Sequence, residues 1–122
     1  MGNREYSIAV DFDGTLCEVG WPGIGKPNIP MIELLKEMQR YGYRLILWTC
    51  RVGERLDEAI AWGLQQGLHF EAVNSNLATN IAQYHSDPRK IHVDLYLDDK
   101  ACNGYDSLLE YFNRIKEEQN ER

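Results

Sequence analysis

Three short apolar runs, each breaking into polar residues at its C-terminal end, constrain this chain more than any other feature. They lie at 6–12, 44–49 and 90–97. Each has strand length, and the run at 44–49 is almost continuously apolar, as strands buried on both faces are. Between them the apolar residues change period. Met31, Ile32, Leu34, Leu35 and Met38 recur at helical spacing, with Pro30 suited to a first turn and Gly42 to a stop. A second helix is expected over 54–66, with Leu56, Ile60 and Leu64 on one face and Gly67 closing it. A short strand at 70–73, a weak helix at 77–84 and a closing helix at 107–116 complete the pattern, after which the polar end of the chain is expected to fray. The stretch 20–30 holds Pro22, Pro27 and Pro30 among its glycines and reads as loop. Strands alternating with helices predict an α/β fold. The expected architecture is three-layered, doubly wound and Rossmann-like, a parallel sheet with helices on both faces.

At 122 residues the chain suits one domain, spanning 1–122. Its formal net charge of −6 is the reverse of the basic excess typical of nucleic-acid binders, so nucleic acid is not indicated as a partner. No apolar run approaches membrane-spanning length, and the first run reaches Asp11 too soon for a signal peptide, so no membrane partner and a cytoplasmic location are expected. Cys17, Cys50 and Cys102 are scattered without metal-knuckle spacing and are expected to be free thiols.

In parallel α/β sheets ligands gather beyond the carboxyl ends of the strands. The residues there are Asp11-Phe12-Asp13-Gly14-Thr15, then Thr49-Cys50-Arg51, then Asp98-Asp99-Lys100. Extended backbone would let Asp11 and Asp13 project the same way, and Gly14 permits a sharp turn through positive φ. Four carboxylates at one sheet edge repel one another unless a hard cation sits among them, and oxygen donors suit magnesium, which commonly also binds phosphate. Singly, an Asp-X-Asp-Gly is often only a turn, and an acidic pair often only a helix cap. The order acidic, hydroxyl, acidic along successive strand ends is what points to phosphoryl chemistry.

The run Asp11-Phe12-Asp13-Gly14-Thr15 after an apolar strand resembles the first signature of the haloacid dehalogenase (HAD) superfamily. Thr49 in Leu47-Trp48-Thr49 is similar to its second, and Asp98-Asp99 in Tyr96-Leu97-Asp98-Asp99 to its fourth. Lys90 is the best match to its third, with Arg89 behind it. The resemblance spans 8–100 and implies a magnesium-dependent phosphomonoester hydrolase. Asp11 would attack phosphorus to give an aspartyl-phosphate, and Asp13 would serve as general acid and then base. The metal would be held by Asp11, the main-chain carbonyl of Asp13, and Asp98 or Asp99. Thr49 and Lys90 would contact the phosphoryl oxygens. Gly14, Thr15, Cys50, Arg51, Lys26 and Lys100 are candidate substrate contacts, Arg51 as a partner for a substrate anion. Asn74 and Asn76 are expected to serve a turn, and Trp48 and Trp62 the core.

Many relatives in that superfamily carry an inserted cap domain. Only about fifteen residues separate Thr15 from Met31 and about forty separate Thr49 from Lys90, too few for one. A capless site either admits a bulky phosphorylated substrate or is closed by a second copy of the chain. Trp21, Pro22 and Ile24 make the 21–26 loop apolar enough for either use. A phosphorylated small molecule and a phosphorylated macromolecule end are both admissible. The alternative readings are a catalytically silent binding module of the same fold and a receiver-like phospho-acceptor domain. The acidic doublet stands last in this chain, whereas receivers carry theirs first.

Overall fold

The computed structural model describes residues 6–75, 77, 93–97 and 105–120. Four parallel strands form one sheet in the order β3-β2-β1-β4. They are β1 (Ser7–Asp11), β2 (Arg44–Trp48), β3 (Phe70–Val73) and β4 (Leu95–Leu97). Three helices accompany them, α1 (Ile29–Arg40), α2 (Gly53–Gln65) and α3 (Tyr105–Asn120). This is the α/β, Rossmann-like class expected from the sequence. No domain is inserted between β1 and α1, and the residues 78–92, outside the described part, are too few to form one.

The strands sort their side chains by alternation. Ile8 and Val10 of β1 and Leu45 and Leu47 of β2 are fully buried on one face, in a cluster with Met31, Ile32, Leu35 and Met38 of α1, Ala59 of α2, and Leu108 and Phe112 of α3. Each such aliphatic side chain contributes about 1.5–3 kcal/mol when withdrawn from water. Ile46 points the other way and packs with Leu77, Ala72, Val93 and Tyr96. The chain steps β1, β2, β3 in one direction, so right-handed crossovers bring α1 and α2 to the same face. β4 lies beyond β1, and Leu77, four residues after β3, is buried against Ile46 on the opposite face. Apart from Leu77, the helix expected over 77–84 lies outside the described residues, as do 90–92 of the expected last strand.

Local signals account for the element ends. Asn28 caps α1 by accepting a hydrogen bond from the Met31 amide at 3.4 Å, and Pro30 lies in the first turn, where its missing N–H costs nothing. Asp94 fastens the start of the sheet: its Oδ2 accepts from the Ser7 amide at 2.8 Å and its own amide donates to the Ser7 carbonyl at 2.9 Å. Helix α3 runs on to Asn120 rather than fraying after Ser107–Lys116, with Lys116 lying 4.4 Å above the Phe112 ring.

Two expectations about packing fail. Of the apolar face expected on α2, Leu56 and Ile60 pack against the core beside the buried Ala59 and Gly63, but Leu64 is 64% exposed. The helix lies so close to β3 that a Cβ on Gly63 would stand 2.6 Å from the Phe70 ring, and a leucine stripe would hold it off. Trp48 is also not core. As the last residue of β2 it sits at the sheet edge, 36% exposed, edge-on to Tyr96. Trp62 does pack against the core, edge-on to Phe12.

Candidate active site

The register of the two central strands brings the first two motifs together. Asp11 pairs with Trp48 across β1 and β2, so Asp11 and Thr49 leave the sheet side by side at its carboxyl edge. A cavity of about 350 Å³ opens there, lined by Asp11, Trp48, Thr49, Cys50 and Asn74. Among the lining residues Asp11 is the sole carboxylate, and it is half-buried.

Thr49 is held by a residue that the sequence reading gave only a turn role. The Asn74 side chain accepts from the Thr49 amide at 2.7 Å and donates to the Thr49 carbonyl at 2.9 Å. It thus continues the β2–β3 hydrogen bonding by one step after the strands end. Asn74 reaches this position with φ of 52°, while its amide donates to the Leu47 carbonyl at 2.7 Å. Asparagine tolerates that left-handed backbone better than other side-chain-bearing residues, so an Asn directly after a strand was the available signal. The Thr49 hydroxyl accepts from the Arg51 amide at 3.1 Å, which leaves its own proton to donate.

The turn after β1 is tight. Gly14 adopts φ of 88°, as expected, and its amide donates to the Cys17 carbonyl at 2.9 Å. The amides of Thr15 and Leu16 both fold back to the Phe12 carbonyl. The chain then makes a closed loop: Cys17 bridges Pro27 in antiparallel fashion, and the Glu18 amide donates to the Lys26 carbonyl at 2.8 Å. Gly20 and Gly25 let the two arms touch, since a Cβ on Gly20 would lie 2.7 Å from the Gly25 nitrogen.

Arg51 ties this loop to the first motif. Its guanidinium donates to both Asp13 oxygens, from Nε at 2.9 Å and from Nη2 at 2.8 Å. It also donates to the carbonyls of Pro22 at 3.3 Å and Gly23 at 2.7 Å. Its Cζ lies over the rings of Phe12 and Trp21, 5.0 and 5.1 Å from their centroids. The Arg51 side chain is 1% exposed, against 25% for Asp13. Hydrogen bonding to Asp13 raises Arg51 further above its already high ordinary value, against the pull of burial, so it is charged at any working pH. Arg51 therefore has four of its five donors committed inside the protein, which differs from the substrate-anion contact expected of it. Sequence distance hid this pairing, since 38 residues separate the partners.

The other candidates divide. Cys50 lines the cavity. Thr15 is buried and its hydroxyl has no hydrogen-bond partner among the described residues. Lys26 and Gly14 line a separate recess of about 370 Å³ beside the start of α1. Cys17 is a free buried thiol, pushed up by burial and then by the charge of Asp13, so it stays protonated; Cys50 is free and exposed. Lys90, Asp98, Asp99 and Lys100 lie outside the described residues, as do Asn76, Arg89 and Cys102. Asp11 and the main-chain carbonyl of Asp13 are hard oxygen donors of the kind magnesium takes, so the described part of the expected ligand set fits that ion. Among the described residues no group of three or more His, Cys, Asp or Glu side chains is placed to hold a metal. No helix among them is long and apolar enough to cross a membrane.

A solved structure of a conserved protein from Bacteroides thetaiotaomicron superposes on this chain with a TM-score of 0.74 at 38% identity, covering 88% of this chain and 93% of that one. The chain belongs to the same family as this Bacteroides protein. No protein-family model matches it, and no curated protein does. The family tie carries the α/β fold, and the activity has to be read from the side chains at the sheet edge.

Proposed function

We propose that the chain is a magnesium-dependent phosphomonoester hydrolase that works through an aspartyl-phosphate on Asp11, as a small capless phosphatase similar to the HAD superfamily. The observation that carries this reading is the pairing of Asp11 with the residue before Thr49, which sets a carboxylate and a hydroxyl on one cavity wall. An Asp11 oxygen would attack phosphorus while the bond to the leaving oxygen breaks. Thr49, fixed through its backbone by Asn74, would donate its hydroxyl proton to a phosphoryl oxygen and stabilise charge there. Asp13 would give a proton to the leaving oxygen and later take one from the water that cleaves the acyl-phosphate. Magnesium, when bound, offsets the repulsion between the Asp11 carboxylate and an anionic phosphate. Asp11, the Asp13 carbonyl and one of Asp98 and Asp99 would hold it, and Lys90 would supply the cation on the phosphoryl group.

The cavity is open and partly aromatic through Trp48, which suits a phosphorylated small molecule or the phosphorylated end of a larger one. The test is hydrolysis of p-nitrophenyl phosphate by the full chain with magnesium and with EDTA. The expected result is turnover that chelation removes and added magnesium restores. Full activity in EDTA would refute the metal assignment, and no turnover across a panel of phosphomonoesters would refute the reading.

A further inference from the structure

The most unusual group in the described molecule is Arg51, a fully buried cation that contacts two functional segments at once. One of its faces grips both oxygens of Asp13, and two of its nitrogens grip the carbonyls of Pro22 and Gly23 in the loop that closes on itself at Cys17 and Pro27. Phe12, between the two aspartates, and Trp21, in the loop, both pack their rings against the guanidinium. Four hydrogen bonds occupy four of the five N–H donors of the guanidinium, and two aromatic rings pack against it. Lysine has neither the planar fork nor the reach to all four acceptors, so this position calls for arginine in particular.

We infer that Arg51 is a positioning residue: it aims the Asp13 carboxylate and locks the 18–26 loop to it, so that the acid–base group and the loop are set as one unit. This rests on the phosphohydrolase reading above. The pair leaves room for chemistry. Each carboxylate oxygen has two lone pairs, Arg51 engages one on each, and Asp13 keeps a quarter of its side-chain surface exposed. What Arg51 removes is rotation. A free aspartate two residues past a strand would sample several rotamers, and few would place an oxygen on the leaving group.

The consequence depends on the leaving group. In the first half-reaction the Asp11–phosphorus bond forms and the bond from phosphorus to the leaving oxygen breaks, its electron pair passing to that oxygen. An alkoxide needs the proton from Asp13 to depart, whereas p-nitrophenolate is stable without it. In the second half-reaction water bonds to phosphorus, its proton passes to Asp13, and the electron pair of the phosphorus–Asp11 bond returns to Asp11. Loss of aim at Asp13 therefore slows alkyl phosphates more than p-nitrophenyl phosphate.

The experiment compares wild type, Arg51→Lys and Trp21→Ala, each with magnesium, on glycerol phosphate and on p-nitrophenyl phosphate. Arg51→Lys is expected to lower kcat about a hundredfold on glycerol phosphate and about tenfold on p-nitrophenyl phosphate, with KM changed by less than about threefold. Trp21 is 59% exposed, so Trp21→Ala should keep the fold and show a smaller loss with the same selectivity. If Arg51→Lys does not fold, as judged by circular dichroism, Trp21→Ala decides. Equal losses on both substrates in the folded variants would reduce Arg51 to a structural role and overturn the inference while leaving the phosphatase intact. A wild-type chain inactive on both substrates would instead overturn the reading on which the inference rests.

Discussion

The two sides of the sheet edge are built differently. On the β1 side Asp13 is clamped by a buried arginine, and the loop that follows is closed by its own backbone and pinned to the same guanidinium. On the β2–β3 side Trp48, Cys50 and Asn74 are exposed around the cavity, and the Thr49 peptide groups are held by the Asn74 side chain. On the proposed reading, the difference separates two demands on a capless phosphatase. Proton transfer needs a fixed donor, and fixing it takes burial and a multidentate partner. Admission of substrate needs an unobstructed rim, so what must be aligned there is aligned through the backbone, with exposed hydrogen bonds that are individually weak.

The comparison can be broken first on the clamped side. Arg51→Met keeps much of the volume and removes every donor. It leaves Asp13 facing an apolar group and the Pro22 and Gly23 carbonyls without their partner, and should cost about 2–4 kcal/mol. The figure stays below the upper range for buried pairs because Asp13 remains partly hydrated. Urea denaturation measures it, and a change under about 1 kcal/mol would mean the clamp contributes little net. On the open side the effect should be smaller. Asn74→Ala removes two partly solvated hydrogen bonds and puts alanine at a φ of 52°, a loss of about 1–2 kcal/mol in the same assay. Its activity should fall about tenfold, because the Thr49 amide and carbonyl then lose the side chain that fixes them. An Asn74→Ala variant more destabilised than Arg51→Met would reverse the assignment of rigid and open sides.

Much of this was legible in the sequence. The strand–helix alternation yields the parallel sheet, and the polar ends of successive strands mark the site, because sheet topology converts strand ends into neighbours. Asp11, Thr49 and the turn at Gly14 fall where the motif spacing puts them. What was not legible depends on contacts between distant segments. That Arg51 faces inward to Asp13 follows from how the 18–26 loop closes, and the loop closes through glycine contacts that composition does not encode. The rotation of α2 that exposes Leu64 follows from the Gly63–Phe70 approach, a packing detail that helical periodicity alone cannot supply. Asn74 needed its backbone angle to be recognised as more than a turn residue.

The central claim is that Asp11 carries the phosphoryl group, and the most direct test is to trap it there. The full chain would be mixed with magnesium and p-nitrophenyl phosphate, quenched during turnover and reduced with borohydride, which converts an aspartyl-phosphate to homoserine. Peptide mass spectrometry then locates the modified residue. The expected result is homoserine at position 11 in wild type, none in Asp11→Asn, and turnover in that variant lower by roughly three decades or more with the fold retained by circular dichroism. Turnover without homoserine at position 11, or an Asp11→Asn chain that hydrolyses substrate at the wild-type rate, would contradict the account.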